Sequence, residues 1–240
     1  GLPKRSAMFF ARQVWMPTLS AANQFSREGK KGGITVLTRQ GKLKKEVNEI
    51  LEILSRQDVI LSTGHLSPRE IRVLIREAKR KKIQKILVTH PDHPLLAFPA
   101  GDQKNLAREG VCFDRCFPTK TMCVLTMENM AAMIREVGVS STVLSTDFGQ
   151  PENPTPVEGM ERYLIGMKKY GFSDKEIDQM VKGNPAHLQE KGIAVEIPNS
   201  KHQAPSTKQI PNSKHQTNSK NQYVNPKPGK LFFCKIDYNV

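Results

Sequence analysis

The 240-residue chain is 38% hydrophobic, enough for a sizeable core in one large or two small domains, and no stretch approaches the ~18 apolar residues of a membrane span. Its four unevenly spaced cysteines argue against a disulfide scaffold, and with no leader of charged start and apolar middle the cytosol is the expected compartment. The formal net charge of +14 suits a polyanion partner, but its distribution weakens that reading. From Lys191 onward eight lysines stand against Glu196 and Asp237, and much of the remaining excess lies on Arg76, Lys79, Arg80, Lys81, Lys82 and Lys85. That second cluster surrounds one predicted helix end, where cations complement the helix dipole and solvate an outer face. The chain starts at Gly1 and its first methionine is Met8, so a fragment or a processed start is expected.

In chain order, Met8 to Trp15 reads as a strand closed by Pro17, and Ser20 to Lys42 as a long polar, Gly-rich excursion with an apolar piece at Ile34 to Leu37. Val47, Ile50, Leu51 and Leu54 mark one helical face. A strand over Asp58 to Thr63 follows. Ser67-Pro68-Arg69-Glu70 then starts a helix, with a hydroxyl N-cap, proline at the first helical position and glutamate three residues after the cap. Strands are predicted over Lys85 to Thr89, Val111 to Phe117 and Thr142 to Thr146, and helices over Asp102 to Glu109 and Glu128 to Val137. Capping boxes at Thr155-Pro156-Val157-Glu158 and Ser173-Asp174-Lys175-Glu176 open two more helices. Gly171 and Gly183 suit helix stops, and Asn184-Pro185 begins a last short helix. Repeated strand-then-helix units predict an α/β fold with a parallel sheet over residues 1–190.

Beyond Lys191 the sequence Ile197-Pro198-Asn199-Ser200-Lys201-His202-Gln203 recurs at Ile210 to Gln216. This low-complexity basic tail, residues 191–240, is too poor in apolar groups to offset its ordering entropy and is expected to be disordered.

Three strands end in side chains that bind metals: Val59-Ile60-Leu61-Ser62-Thr63-Gly64-His65, Ile86-Leu87-Val88-Thr89-His90 and Val143-Leu144-Ser145-Thr146-Asp147. In parallel α/β folds, chemistry is built at that strand edge. His65, His90 and Asp147 are therefore candidate ligands for a divalent metal, zinc first and manganese or iron as alternatives, with Asp147 also a candidate proton acceptor. The 25 residues from His65 to His90 span one strand–helix unit, and the 57 from His90 to Asp147 span two. Against this, a lone histidine after a strand is ordinarily a turn or capping residue, and Asp147 followed by Phe148-Gly149 can simply cap a loop. His93 is a candidate fourth ligand or substrate contact, set between turn-forming Pro91 and Pro94. His187 reads as structural. Cys112, Cys116 and Cys123 have no standard zinc-module spacing and read as buried thiols, and Met127, Met130 and Met133 read as core. Asp147-Phe148-Gly149 has no kinase companions, and no phosphate-binding loop or dinucleotide fingerprint occurs.

Thr63-Gly64-His65, Thr89-His90-Pro91, Ser145-Thr146-Asp147 and the closing Asn184-Pro185-Ala186-His187-Leu188 resemble the C-terminal half of the metal-dependent hydrolases of the amidohydrolase superfamily. Trp15-Met16-Pro17-Thr18 and Gly41-Lys42-Leu43 are similar to a poorly characterised branch of it, and the likeness covers residues 8–190. The resemblance implies a (β/α)8 TIM-type barrel with His65 on the fifth strand, His90 on the sixth and Asp147 on the eighth. His65 and His90 would be metal ligands or, for one of them, a substrate contact, and Asp147 a ligand and proton shuttle. The family's His-x-His pair has no counterpart, since no histidine precedes His65, and the strand at Val14 to Trp15 ends without a bridging Lys or Glu. The expectation is thus a partial barrel of about five β/α units acting on a small-molecule substrate at a C–N, C–O or P–O bond. Its open edges call for a homo-oligomer or a missing N-terminal half. Two other readings compete: a non-catalytic, degenerate barrel fragment serving as an interaction or subunit protein, and a basic nucleic-acid binder. Aromatic residues, 6% of the chain, do not interleave with the basic clusters, which counts against the last.

Overall fold

The computed structural model describes residues 11–118 and 125–190. The expectations for Met8 to Phe10, for Cys123 and for the tail beyond residue 190 lie outside these residues. Five strands, β1 (Gln13–Trp15), β2 (Ile60–Ser62), β3 (Ile86–Thr89), β4 (Cys112–Cys116) and β5 (Thr142–Ser145), form one parallel sheet in sequential order. Helices connect them: α1 (Ala22–Arg27) and α2 (Lys45–Leu54) before β2, α3 (Pro68–Arg80) before β3, α4 (Ala100–Arg108) before β4 and α5 (Met127–Val137) before β5. After β5 come α6 (Pro156–Lys169), α7 (Asp174–Asp178) and α8 (Asn184–Gln189). Strands consecutive in the chain are neighbours in the sheet, which is the winding of a (β/α) barrel reduced to five units.

Alternation along each strand sorts the side chains into two layers. Val14, Leu61, Ile86, Val88 and Phe113 face outward into a core shared with α2 and α3 through residues such as Leu51, Leu54, Leu74 and Ile75. Leu144 joins a second outer core with Met130, Ile134, Tyr163, Met167 and Met180. Facing inward, Ile60, Leu87 and Cys112 pack with Val143 and with Leu188 of α8 into an apolar floor. Two residues further along the same strands the inward positions turn polar: Ser62, Thr89, Asp114 and Ser145. The interior is thus apolar at one end and polar where the strands finish.

The predicted capping box at Ser67 is present, and its glutamate does more than cap. Glu70 Oε2 accepts from Ser67 N–H at 3.0 Å, while Oε1 accepts from Thr35 Oγ1 at 2.6 Å and Val36 N–H at 3.0 Å. It is 5% exposed and pins the Ile34 to Leu37 segment onto the start of α3. Burial alone would raise its pKa, but the hydrogen bonds from Thr35, Ser67 and Val36 outweigh it and hold the carboxyl below 4.5. That stabilisation is complete above pH 4.5 and is lost as pH falls through the lowered folded value. Glu70→Ala is expected to cost about 3 kcal/mol at neutral pH, because it leaves the buried Val36 N–H without an acceptor and removes the bonds to half-buried Thr35 Oγ1 and to the Ser67 cap. The gap from the parent should close as urea melts are taken into acid. Equal urea midpoints at neutral pH would refute the pinning role.

Two departures from the sequence reading have local causes. The excursion from Ser20 contains α1, which has no side-chain cap and no buried residue, so neither start signal nor periodicity announces it. It is tied instead by Ala22 N–H to Ile34 O at 2.8 Å and Ile34 N–H to Ser20 O at 2.7 Å. Gly183 is not a stop. It keeps a helical φ of −62° and closes a π-turn (Gln179–Gly183) that carries α7 into α8. Buried Met180 and the Asn184 amide, which donates to Val139 O at 2.8 Å and to Thr142 O, dock this turn beneath β5. Gly171 does end its helix, in the left-handed region at φ +80°. Around the basic helix end, Lys81 pairs with Glu52 and Lys85 with Asp58, while Arg76 and Arg80 lie 3.6 Å from Glu77. No helix among the described residues is long and apolar enough to cross a membrane.

Candidate metal centre

At β2, β3 and β5 the chain leaves the strand through a threonine followed by a residue in the left-handed region: Gly64 (φ 58°), His90 (φ 47°) and Asp147 (φ 54°). That turn costs glycine little, whereas an L-residue held there carries strain of order 1–2 kcal/mol. At β2 only glycine fits, because a Cβ at position 64 would meet Met16 O at 2.4 Å and Pro17 O at 2.5 Å. The ligand-type residue is therefore displaced by one, which accounts for Thr-Gly-His beside Thr-His. The threonines lash the strand ends together. Thr89 N–H donates to Thr63 Oγ1 at 3.1 Å, and Gly64 N–H donates to Thr89 Oγ1 at 3.3 Å.

His65, His90, His93 and Asp147 line one open cleft of about 240 Å³, together with Gln24 and Asn153. Ring centroids are 5.6 Å apart for His65 and His90 and 6.2 Å for His90 and His93. His90 Nε2 lies 3.5 Å from Asp147 Oδ2. Burial, and then neighbouring His93, push the His90 pKa down to about 4, so the ring is neutral near pH 7 and this contact is not an ion pair. Its Nδ1 is buried without a hydrogen-bond partner, which ordinarily costs about 1–3 kcal/mol. Two donors bound to one tetrahedral ion at 2.0–2.1 Å sit ~3.4 Å apart, close to the separation seen here. The donor atoms that lie within 4.8 Å of one another belong to His90, Cys116 and Asp147. His65 adjoins this group without belonging to it. His187 is exposed on α8, 3.6 Å from Glu190, and takes no part.

Hydrogen bonds give the three cleft histidines different roles. The Gln24 amide nitrogen donates to Glu28, so its Oε1 faces His65 Nδ1 at 2.9 Å and can only accept. His65 therefore carries its proton on Nδ1 and keeps the Nε2 lone pair free, as a metal-binding or proton-accepting imidazole requires. His93 is the reverse. Its Nδ1 accepts from Leu95 N–H at 2.9 Å, so Nε2 holds the proton and is a donor. The His65 pKa is lowered by burial and by His90, and that of His93 by burial and by His65, which favours both neutral tautomers. Asp147 is raised by burial against the opposing pull of His65 and His93.

Beneath the cleft, Ser145 Oγ donates to Asp114 Oδ1 at 2.6 Å and lies 3.0 Å from Cys116 Sγ. Burial raises the Asp114 pKa to about 6 and the Cys116 thiol well above 9. Behind the turn that carries His90 and His93, Arg115 is fully buried and pairs with Asp92. Its Nη2 donates to Gln103 Oε1 at 2.9 Å, and Gln103 Nε2 in turn donates to Asp92 Oδ1 at 3.2 Å and Phe98 O at 2.8 Å. Sequence reasoning missed this network and the approach of the Cys116 thiol to His90 and Asp147. The available signal for Arg115 was alternation, which puts a charge on the apolar outer face of β4, where it must be paired. Cys116 and Cys112 are both buried, Met130 is core with Met127 packed against its cluster, and Met133 packs against the core shared with α2 and α3.

Residues 4–114 match a family of unknown function (DUF6282), a match that takes in less than half of the chain. Among solved structures the chain is similar to the phosphotriesterase from Mycobacterium tuberculosis, with 17% identity and a TM-score of 0.47 over 60% of this chain and 50% of that one. It is also similar to a putative 2-pyrone-4,6-dicarboxylic acid hydrolase from Pseudomonas putida, with 14% identity and a TM-score of 0.44 over 74% and 70%. The chain thus spans about half the length of the phosphotriesterase. No curated protein matches it.

Proposed function

We propose that this chain is a metal-dependent hydrolase of the barrel type, working in the cytosol on a small-molecule substrate at a C–N, C–O or P–O bond. One observation carries the reading. A half-buried, neutral His90, whose buried Nδ1 makes no hydrogen bond, points Nε2 at the Asp147 carboxylate across a gap of ligand-to-ligand size. His90 and Asp147 would hold a divalent ion, zinc first, with the His65 Nε2 lone pair available as a further donor or as a contact to substrate. When bound, such an ion supplies Lewis acidity that brings the pKa of a water towards ~7. Asp147 then accepts the proton of the attacking water and can return it to the leaving group. His93, protonated at Nε2, donates to an oxygen of the scissile group, and Gln24 keeps His65 oriented.

A second reading is favoured by the sheet edge. Trp15 at the end of β1 is 51% exposed, with Leu19 and Ile34 also exposed nearby, and no carboxylate or lysine ends that strand. On this reading the unit is completed by a further copy or by another half-barrel, and is inactive alone. Metal analysis with light scattering separates the two. The hydrolase reading expects about one zinc per chain in purified protein, lost on His90→Ala or Asp147→Asn. Metal-free protein that self-associates would replace it with the second reading.

A further inference from the structure

We infer that Cys116 is a metal ligand, so that the centre is a His–Cys–Asp site with a thiolate among its donors. The inference rests on the metal reading above and deepens it. Three neighbouring strands supply the donors: His90 follows β3, Cys116 closes β4 and Asp147 lies two residues past β5. In the sheet register Thr89 pairs with Asp114 and Cys116 with Ser145, so the three positions rise together along the strand ends. Their donor atoms lie within 4.8 Å of one another, and the His90 ring brings Nε2 to 3.5 Å from Asp147 Oδ2.

Cys112 provides the internal contrast. It lies two inward positions below, in the apolar floor with Ile60, Leu87 and Leu188, and belongs to no cluster of three ligand-type side chains among the described residues. Cys116 instead sits against Ser145, which is itself held by Asp114. That arrangement orients a ligand from behind, as outer-shell groups do in metal sites. Ligation replaces the S–H bond by an S–metal bond and releases one proton to solvent. A thiolate beside one imidazole and one carboxylate favours zinc and disfavours magnesium, calcium and manganese, which prefer all-oxygen shells.

The test is cobalt(II) substitution of the full chain, read by its absorption. A bound thiolate gives sulfur-to-cobalt charge-transfer intensity in the near ultraviolet, independent of any catalytic assay. The band should be present in the parent, absent in Cys116→Ser, and retained in Cys112→Ser. It should also persist when Cys112, Cys123 and Cys234 are all replaced by serine, a variant that keeps Cys116 and does not depend on Cys116→Ser folding. Zinc affinity should fall more than about 100-fold in Cys116→Ser, beyond the cost of losing an outer-shell partner. Stoichiometric cobalt without the band, or a band that survives Cys116→Ser, would overturn the thiolate and leave the metal reading intact. Failure to bind cobalt at all would overturn both.

Discussion

Arg115→Ala is expected to destabilise the protein by about 3–5 kcal/mol, the range for removing one partner of a buried ion pair. The guanidinium is fully buried and held on three sides, by Asp92, by Gln103 Oε1 and by Thr142 Oγ1 at 3.4 Å. Removing it strands the Asp92 carboxylate, which is 5% exposed, beside an amide whose Oε1 has lost its donor. Arg115→Lys should recover only part of the loss, since an ammonium cannot span the three acceptors as a planar fork does. Replacing both charges, as in Arg115→Met with Asp92→Leu, should cost far less than either single change to alanine, because no charge is then buried alone. The consequence for the site is indirect. Asp92 sits between His90 and His93 in a turn closed by His93 N–H to His90 O at 3.0 Å and Phe98 N–H to Pro91 O at 2.9 Å. Loosening Asp92 frees the turn that carries both histidines, so zinc affinity should weaken together with stability. Denaturant midpoints of the two single variants and the double one give the cycle. A single-variant loss below about 1 kcal/mol would show that the pair holds little.

What could be read from the sequence, and what could not, divides along a physical line. Features fixed by near neighbours were legible. The boxes at Ser67, Thr155 and Ser173 satisfy the first orphan N–H groups of their own helices, and each forms as spelled. The run Ile86-Leu87-Val88-Thr89 is a strand buried on both faces, as its β-branched composition requires. His65, His90 and Asp147 reach one cleft because parallel strands finish at one edge, which needs only their positions at strand ends. Features fixed by distant partners were not legible. The α1 helix exists because Ile34 returns to pair with Ser20 and Ala22, and Gly183 stays helical because Asn184 docks under β5. Cys116 is the buried thiol the sequence suggests, but its approach to His90 and Asp147 was not legible, because groups on neighbouring parallel strands are a whole strand–helix unit apart and no short cysteine spacing marks them. The opposite tautomers of His65 and His93 depend on one Gln24 oxygen and one Leu95 N–H, neither of which any motif encodes.

Asp147→Gly is expected to abolish zinc retention and at the same time to make the metal-free protein slightly more stable. The residue sits at φ 54°, and its side chain is 55% exposed. Among the described residues the carboxylate accepts no hydrogen bond from a loop N–H; the one into this turn, Phe148 N–H at 3.4 Å, goes to Thr146 Oγ1. Its near neighbour, His90, is neutral, so no ion pair is lost with it. Glycine removes the left-handed strain of order 1–2 kcal/mol but gives back about 0.5–1 in unfolded-chain entropy, for a net gain of roughly 0.5–1 kcal/mol. Asp147→Ala keeps the strain without the tolerance of aspartate for this region and should be the least stable of the series, with Asp147→Asn near the parent. If Asp147 were merely a loop cap, glycine and alanine would both destabilise and asparagine would be harmless in every assay. The metal reading expects the metal-free order glycine, then aspartate and asparagine, then alanine, with zinc lost in all three variants. Added zinc should then invert the first two, since ligand at 100 times its dissociation constant stabilises the folded parent by about 2.7 kcal/mol and leaves the glycine variant unmoved. A residue whose removal helps the empty fold and harms only the loaded one is kept for the ion it holds, and thermal melts with and without zinc read both halves of that statement.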